Sequence, residues 1–260
     1  PDVKSIKITL YRVATESKVI NALINAAQNG KEVTAMVELK ARFDEKSNIY
    51  WSEKMEEAGV NVVFGLTALK VHSKMTLITR EENNKLIRYA SVSTGNFHEG
   101  NANVYTDITL LTSDGRITSE VDRVFTFLEH PYRDLPYRHL LVSPNHMRRR
   151  LMAIVDKEIE HALEGKPAYI LGKINNLVDE TIIDKLYEAN NAGVKIRLVV
   201  RGVCALIPNI PGISENIEVV SIIDRFLEHS RILIFANGGN ELCYISSADW
   251  MSRNLDRRVE

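Results

Sequence analysis

The chain has 260 residues, 45% of them hydrophobic, which is enough for one large globular domain or two of ordinary size. Its 33 basic and 34 acidic residues leave a net charge of −1, which provides no overall field for nucleic acid or anionic lipid, so a polyanion would need a local cluster of basic residues. The sequence has no uninterrupted apolar run of about 18 residues and no signal peptide. We therefore expect no transmembrane segment, and we expect this chain to be a piece of a longer protein.

The first predicted elements are a strand, a loop and an amphipathic helix in residues 10–30, LYRVATESKVINALINAAQNG. Apolar residues of the helix recur on one face, and Gly30 stands where a left-handed C-terminal cap is favoured. The next segment, VTAMVELKARF, predicts a buried strand that leads to Arg42.

The same succession returns in residues 171–193, LGKINNLVDETIIDKLYEANNAG, which again end at a glycine, Gly193. The strand that follows, KIRLVVRG, leads to Arg201 as its counterpart led to Arg42. An internal repeat of strand, helix and strand predicts parallel strands in two domains of one design.

Each copy then reaches a histidine at the same distance from a valine pair, 72 − 63 = 9 in one copy and 229 − 220 = 9 in the other. A basic residue follows two positions later, Lys74 after His72 and Arg231 after His229. Side chains two apart on a strand point to the same side, so we expect each histidine beside a fixed positive charge. Packing would preserve apolar positions between the copies, so the repetition of these polar residues favours a functional role.

Each histidine is followed by an apolar strand, a polar turn and a returning strand, with the turns at residues 81–84 and 237–240. This pattern predicts two β-hairpins. Residues 116–130 read as a helix that closes the first domain, and residues 147–164 as one that opens the second.

The connection between the domains falls in residues 131–146, where three prolines disfavour a continuous helix. We thus predict an α/β protein of two tandem domains related by duplication, with mixed sheets flanked by helices. The first domain is expected to span 1–135 and the second 136–260, truncated at its C-terminal edge.

The two cysteines, Cys204 and Cys243, show no metal-ligand spacing and lie in apolar sequence. We expect them to be reduced and packed in the core.

A neutral imidazole beside a cation suits phosphoryl transfer, which depends on positioning and on stabilising the charge of the transferring oxygens. Arginines at strand ends add forked donors for phosphate. The paired histidine-x-lysine-like motifs resemble the phospholipase D superfamily. The stretches TLYRVATES, ELKARFDE, VHSKMTLITR, STGNFHEGNANVYTD, VKIRLVVRG and FLEHSRILIF closely resemble the C-terminal catalytic domains of polyphosphate kinases.

The resemblance implies an enzyme that reversibly transfers the terminal phosphate of ATP to inorganic polyphosphate, with Mg²⁺, through a phosphohistidine. It implies that His72 is the phosphorylated residue, and that His229, Arg201 and Tyr105 contact the phosphates of the nucleotide.

The resemblance also assigns Arg12 and Arg42 to the magnesium and phosphate site. Because a guanidinium has no lone pair for a metal, we expect both arginines to hold phosphate oxygens near Mg²⁺. Lys74 and Arg231 are expected to assist catalysis. The resemblance further suggests ATP or ADP and polyphosphate as partners, a homo-oligomer (dimer or tetramer), no nucleic acid, and a cytoplasmic location, sometimes peripheral at the inner membrane. The isolated fragment is expected to be weakly active or inactive.

Two alternatives stay open at this point, a phospholipase-D-like phosphodiesterase and a non-catalytic polyanion-binding module. The wider superfamily has an aspartate seven residues after the histidine, where this chain has Thr79 and Ala236. This departure weakens the phosphodiesterase interpretation. Retention of both histidines and both basic partners weakens the binding-module interpretation, because binding alone could use lysine or arginine.

Overall fold

A computed structural model of the chain describes residues 2–38, 45–65, 69–133 and 135–260. These residues form two compact units. Unit 1 holds the described residues up to Val104, together with Ile108–Val142 and Arg258–Glu260, and unit 2 holds Tyr105–Asp107 and Ser143–Arg257. Two three-residue segments therefore belong to the unit that is not their neighbour in sequence.

Both halves of the chain contain strands and helices. The first half contains β1 (Val3–Leu10), α1 (Lys18–Gln28), β2 (Glu32–Val37), α2 (Glu45–Glu57), β3 (Asn61–Phe64), β4 (Lys70–Val71), β5 (Lys74–Glu82), β6 (Lys85–Ser93), α3 (Glu99–Ala102), β7 (Tyr105–Thr106), β8 (Thr109–Thr112) and α4 (Gly115–Glu129). The second half contains α5 (Met147–Leu163), β9 (Tyr169–Ile174), α6 (Glu180–Asn191), β10 (Lys195–Val200), β11 (Ile217–Val220), β12 (Leu227–Glu228), β13 (Arg231–Phe235), β14 (Leu242–Ser246), α7 (Ser252–Asp256) and β15 (Arg258–Val259).

Unit 1 is built on a sheet with the strand order β3-β2-β1-β5-β6-β8. The first three strands in this order are parallel and the others run antiparallel, so the sheet is mixed as predicted. Ser17 caps the N-terminus of α1, where its hydroxyl accepts the N–H of Ile20 at 3.2 Å, and Gly30 follows the helix with φ +75°. One core cluster includes the buried residues of α1 and β1, and a second includes those of α4 and β5.

Unit 2 repeats this design with a sheet of order β11-β10-β9-β13-β14. Again β9, β10 and β11 are parallel, whereas β13 and β14 are antiparallel. The predicted helix after β9 is α6, which buries Ile182, Ile183 and Leu186. The duplicated α/β fold expected from the sequence is thus present, and the chain crosses the proline-rich linker without a helix between α4 and α5 in its described residues.

Other features depart from the expectation or add to it. α2 was not predicted, and no described helix stands at the corresponding place between β10 and β11. The prediction that both cysteines pack in the core is wrong for Cys243, which is exposed on β14, the strand at the edge of its sheet; Cys204 is half-buried. No helix in the described ranges is long and apolar enough to cross a membrane.

Candidate active site

Both histidines follow a two-residue strand that pairs with a segment distant in sequence. β4, before His72, pairs in parallel with β15, and β12, before His229, pairs in parallel with β7. The backbone N–H of His72 donates to Val259 O at 2.9 Å, and Glu38 Oε2 accepts the N–H of Val71 at 3.1 Å. The prediction that the histidines lie on β5 and β13 is corrected here, since each sits two residues before its strand and is held by these pairings.

The imidazole of His72 is buried against a carboxylate. Its Nδ1 lies 2.8 Å from Glu260 Oε2, and the Glu260 side chain is fully buried. Burial lowers the pKa of His72 from 6.5 to about 3; the charge of Glu260 opposes the shift, and Lys74 and Arg258 add to it. His72 is consequently neutral at physiological pH.

The contact with Glu260 also fixes which nitrogen of His72 carries the proton. A neutral imidazole facing a carboxylate through Nδ1 donates from Nδ1, so the lone pair is on Nε2. No residue that the structure describes hydrogen-bonds to Nε2. The ring of Tyr11 meets the His72 ring edge-on, with 4.8 Å between centroids and planes at 83°, and limits its rotation. The arrangement is that of an oriented nitrogen nucleophile.

Lys74 brings a positive charge to the same place. Its side chain is 2% exposed, and its ammonium donates to the backbone carbonyl of His72 and lies 5.3 Å from the Tyr11 ring centroid. A buried cation beside a neutral imidazole can stabilise charge on a transferring phosphoryl group. Arg12 follows Tyr11 directly and is half-buried, with its guanidinium carbon 5.9 Å from the Tyr11 ring. Arg42 lies outside the described residues.

His229 has a similar carboxylate partner but a different second partner. Its Nδ1 lies 2.8 Å from Asp107 Oδ1, while its Nε2 lies 3.1 Å from Arg231 Nη1. Because a guanidinium stays protonated, Arg231 donates and Nε2 must accept, so the Nδ1 proton is directed to Asp107. The Nε2 lone pair, which no described residue engages in His72, accepts from Arg231 in His229.

Unit 2 gathers the other predicted residues around His229. The Tyr105 ring lies 5.0 Å from the His229 ring at an angle of 49°. Arg201 lies directly after β10, and its Nε donates to Asn175 Oδ1 at 3.2 Å. Asn175 Nδ2 in turn donates to the backbone carbonyl of His229 at 3.5 Å. Tyr105, Arg201 and Arg231 therefore lie near His229 in unit 2, and Tyr105 and Arg201 are both partly exposed.

Sequence reasoning missed the carboxylates that hold these groups, Glu260, Asp107 and Asp249. Asp249 is 5% exposed and accepts from Arg231 Nε at 3.2 Å. A signal for the first two was present in the repeat, because Asp107 follows Asn96 by 107 − 96 = 11 and Glu260 follows Asp249 by 260 − 249 = 11. Acidic residues at equal spacing in both copies could have been read as partners of the repeated histidines.

Comparison with known proteins assigns the family. Residues 1–134 match the model of polyphosphate kinase C-terminal domain 1, and residues 140–260 match that of polyphosphate kinase C-terminal domain 2. This chain belongs to the polyphosphate kinase family. The resemblance noted in its motifs is thereby confirmed.

Relatives in the polyphosphate kinase family match the whole of this chain. It is 56% identical to the polyphosphate kinase of Yersinia pestis and 54% identical to that of Escherichia coli (strain K12), in each case over all 260 residues. The crystal structure of polyphosphate kinase from Porphyromonas gingivalis superposes with a TM-score of 0.89 at 44% identity, over 100% of this chain and 42% of that one. The chain spans 38% of the length of each of these two curated relatives.

The donor set of this polyphosphate kinase segment bears on how Mg²⁺ could be held. Among the described residues there is no group of three or more histidines, cysteines or carboxylates arranged to hold a metal ion. Mg²⁺ in phosphoryl-transfer enzymes is commonly bound by one or two carboxylates together with phosphate oxygens and water. A Mg²⁺ ion held mainly by phosphate oxygens and water would be compatible with these residues, and the guanidinium of Arg12 has no lone pair for a metal.

Proposed function

We propose that this chain is the C-terminal catalytic part of a longer polyphosphate kinase, in which His72 carries the phosphoryl group between ATP and polyphosphate. The observation that carries the proposal is the state of His72, neutral, with Nδ1 bound to Glu260 and no described partner at Nε2. Neutral imidazole with one nitrogen oriented and the other open is the form in which histidine acts as a nucleophile.

In the proposed reaction the Nε2 lone pair of His72 attacks the γ-phosphorus of ATP. The bond from phosphorus to the bridging oxygen breaks, and ADP leaves with its electron pair. The phosphorylated ring keeps its proton on Nδ1 and is cationic, and the carboxylate of Glu260 balances that charge. A terminal oxygen of polyphosphate then attacks the phosphorus, the N–P bond breaks, and neutral His72 is restored. The same steps in reverse make ATP.

The remaining predicted residues supply positive charge and hydrogen bonds to phosphate groups. Lys74 would stabilise the transferring oxygens from beside His72. In unit 2, Tyr105 and Arg201 would contact nucleotide phosphates. His229 has both ring nitrogens engaged, so it would act with Arg231, whose orientation it fixes.

Mg²⁺ is part of this proposal as the ion that neutralises the phosphates of ATP when bound. Arg12 and Arg42 would hold phosphate oxygens next to it. From the family resemblance we also propose ATP, ADP and polyphosphate as partners, a homo-oligomeric full-length enzyme (dimer or tetramer), and a cytoplasmic location that includes the inner membrane face.

Labelling with γ-³²P-ATP tests this function. Full-length protein is incubated with labelled ATP and Mg²⁺, and assayed for acid-labile, base-stable label on protein and for labelled polyphosphate. The test variant is His72→Ala. The matched control is His130→Ala, which replaces an exposed histidine. We expect label and polymer with wild type and His130→Ala and neither with His72→Ala. Label on His72→Ala, or cleavage of a phosphodiester without any labelled protein, would refute the proposal.

A further inference from the structure

Arg231 is held against His229 by the buried carboxylate of Asp249, three residues after β14. Asp249 Oδ1 accepts from Arg231 Nε at 3.2 Å and from the backbone N–H of Asn175 at 2.9 Å, and its Oδ2 accepts from Asn176 Nδ2 at 3.0 Å. Burial opposes ionisation, but the charge of Arg231 and these hydrogen bonds keep the pKa of Asp249 below 3.8. Asp249 is therefore an anion whose contacts fix the guanidinium in place.

From this position Arg231 engages Nε2 of His229, the second histidine. Its Nη1 donates to the carbonyl oxygen of His229 at 2.8 Å and lies 3.1 Å from Nε2 of the same residue. To accept a phosphoryl group, Nε2 must use its lone pair for the new N–P bond while the donor's bond to phosphorus breaks. A lone pair that accepts an N–H of a held guanidinium is unavailable for this step.

The first copy of the repeat has different residues at the two positions. Register pairs Lys74 with Ser93 and Arg231 with Ser246, so Asn96 and Asp249, each three residues later, correspond. The first copy thus has lysine with asparagine where the second has arginine with aspartate. Lys74 donates to the carbonyl of its histidine, as Arg231 does, yet no hydrogen bond from a described residue reaches Nε2 of His72.

We propose that Asp249 is a positioning residue that determines which of the two repeated histidines accepts phosphate, by fixing Arg231 on Nε2 of His229. This inference deepens the proposed function and rests on it. The second histidine is kept as an orienting group for a cation, and the first is left as the nucleophile. The two histidines differ in this respect although their side chains are similarly accessible, 11% exposed for His72 and 13% for His229.

The test uses potassium phosphoramidate, a small donor that phosphorylates imidazole nitrogen without a nucleotide. Its P–N bond breaks, ammonia leaves with a proton, and the ring nitrogen takes the phosphoryl group. Full-length wild type, Asp249→Asn, Arg231→Lys and the double variant, which recreates the lysine and asparagine of the first copy, are treated at neutral pH. Mass spectrometry with electron-transfer fragmentation then measures the occupancy of His72 and His229, with exposed His130 as the reference.

In wild type we expect the occupancy of His72 to exceed that of His229 by roughly tenfold or more. The hydrogen bond from the charged guanidinium must break before His229 reacts, and such a bond changes an equilibrium constant by about ten- to a hundredfold. In the double variant we expect the excess to fall by about tenfold while the occupancy of His130 stays the same. A purely structural role for Asp249 would alter the unfolding midpoint without changing this ratio.

Two results would overturn the inference. One is wild-type protein in which His229 reacts as readily as His72, which needs no variant to fold. The other is an unchanged ratio in Asp249→Asn and the double variant when both unfold cooperatively. Failure of the proposed function gives a different result. ATP would then leave His72 of the wild type unlabelled, whereas the ratio of His72 to His229 modified by phosphoramidate would still report the effect of Asp249.

Discussion

Replacing Glu260 by glutamine removes the negative charge that faces His72 and leaves the size of the side chain almost unchanged. The Nδ1 to Oε2 distance is 2.8 Å in the wild type, and the amide oxygen of glutamine could accept the same proton. The tautomer with its lone pair on Nε2 would then be preserved. The substitution therefore isolates the effect of charge on the proposed phosphorylation of His72.

The magnitude follows from the geometry of this contact. Phosphorylation at Nε2 makes the ring cationic, with its charge about 4 Å from that of the carboxylate, and at an effective dielectric of about 20 this attraction is about 4 kcal/mol. Such a difference corresponds to roughly a thousandfold in an equilibrium constant. Since the charge is only partly developed in the transition state, we expect the phosphorylation rate to fall by roughly a hundredfold.

A rapid-quench single-turnover assay measures this rate directly. Full-length wild type and Glu260→Gln are mixed with saturating ATP and Mg²⁺, and phosphohistidine is quantified against time. The matched control is Asp107→Asn, which removes the equivalent charge beside His229. We expect the control to weaken nucleotide binding and to change the chemical step much less. Phosphorylation of Glu260→Gln at the wild-type rate would refute the assigned role of the carboxylate.

Three further predictions concern charge and packing in the full-length protein. The imidazole of His72 should stay neutral from pH 8 to pH 5 in ¹⁵N NMR, with its proton on Nδ1, since its pKa in the folded protein is about 3. As the pH falls below 6.5, His72 of the unfolded chain binds a second proton while that of the folded chain does not, so acid lowers the free energy of unfolding. His72→Gln should therefore lose less stability than wild type when urea titrations are repeated at lower pH. Gly202→Ala should lower the free energy of unfolding by roughly 1–3 kcal/mol, because its Cβ would meet Asn175 O at 2.8 Å, whereas Gly115→Ala, with open space around it, should be neutral or stabilising in the same assay. Arg148→Ala should lower the free energy of unfolding by about 3 kcal/mol in chemical denaturation. Arg148 lies 2.7 Å from the buried carboxylate of Asp179 in the wild type, and the substitution leaves that carboxylate without its cation. An unchanged denaturation midpoint would contradict this prediction.

Much of the fold could be predicted from the sequence because the signals are local or repeated. Helical spacing of apolar residues and the glycine cap predicted α1, and the repeat transferred the same reasoning to α6. α2 was not predicted, and its apolar face is correspondingly weak, since charged and polar residues interrupt it along EKSNIYWSEKMEE. The exposure of Cys243 was missed because an apolar neighbourhood in sequence does not say which face of a sheet a residue occupies.

The sequence by itself determined that the chain is a duplicated α/β protein with a histidine and a basic residue at matching places, because duplication repeats chemistry as well as fold. The tertiary structure alone decided the electrostatic state of each histidine. Glu260 is 188 positions from His72 and Asp107 is 122 from His229, and parallel pairing of two-residue strands brings each pair together. No described residue engages Nε2 of His72, whereas Arg231 engages Nε2 of His229. The carboxylate at each Nδ1 is distant in sequence, and such contacts depend on the packed chain and have no local pattern that predicts them.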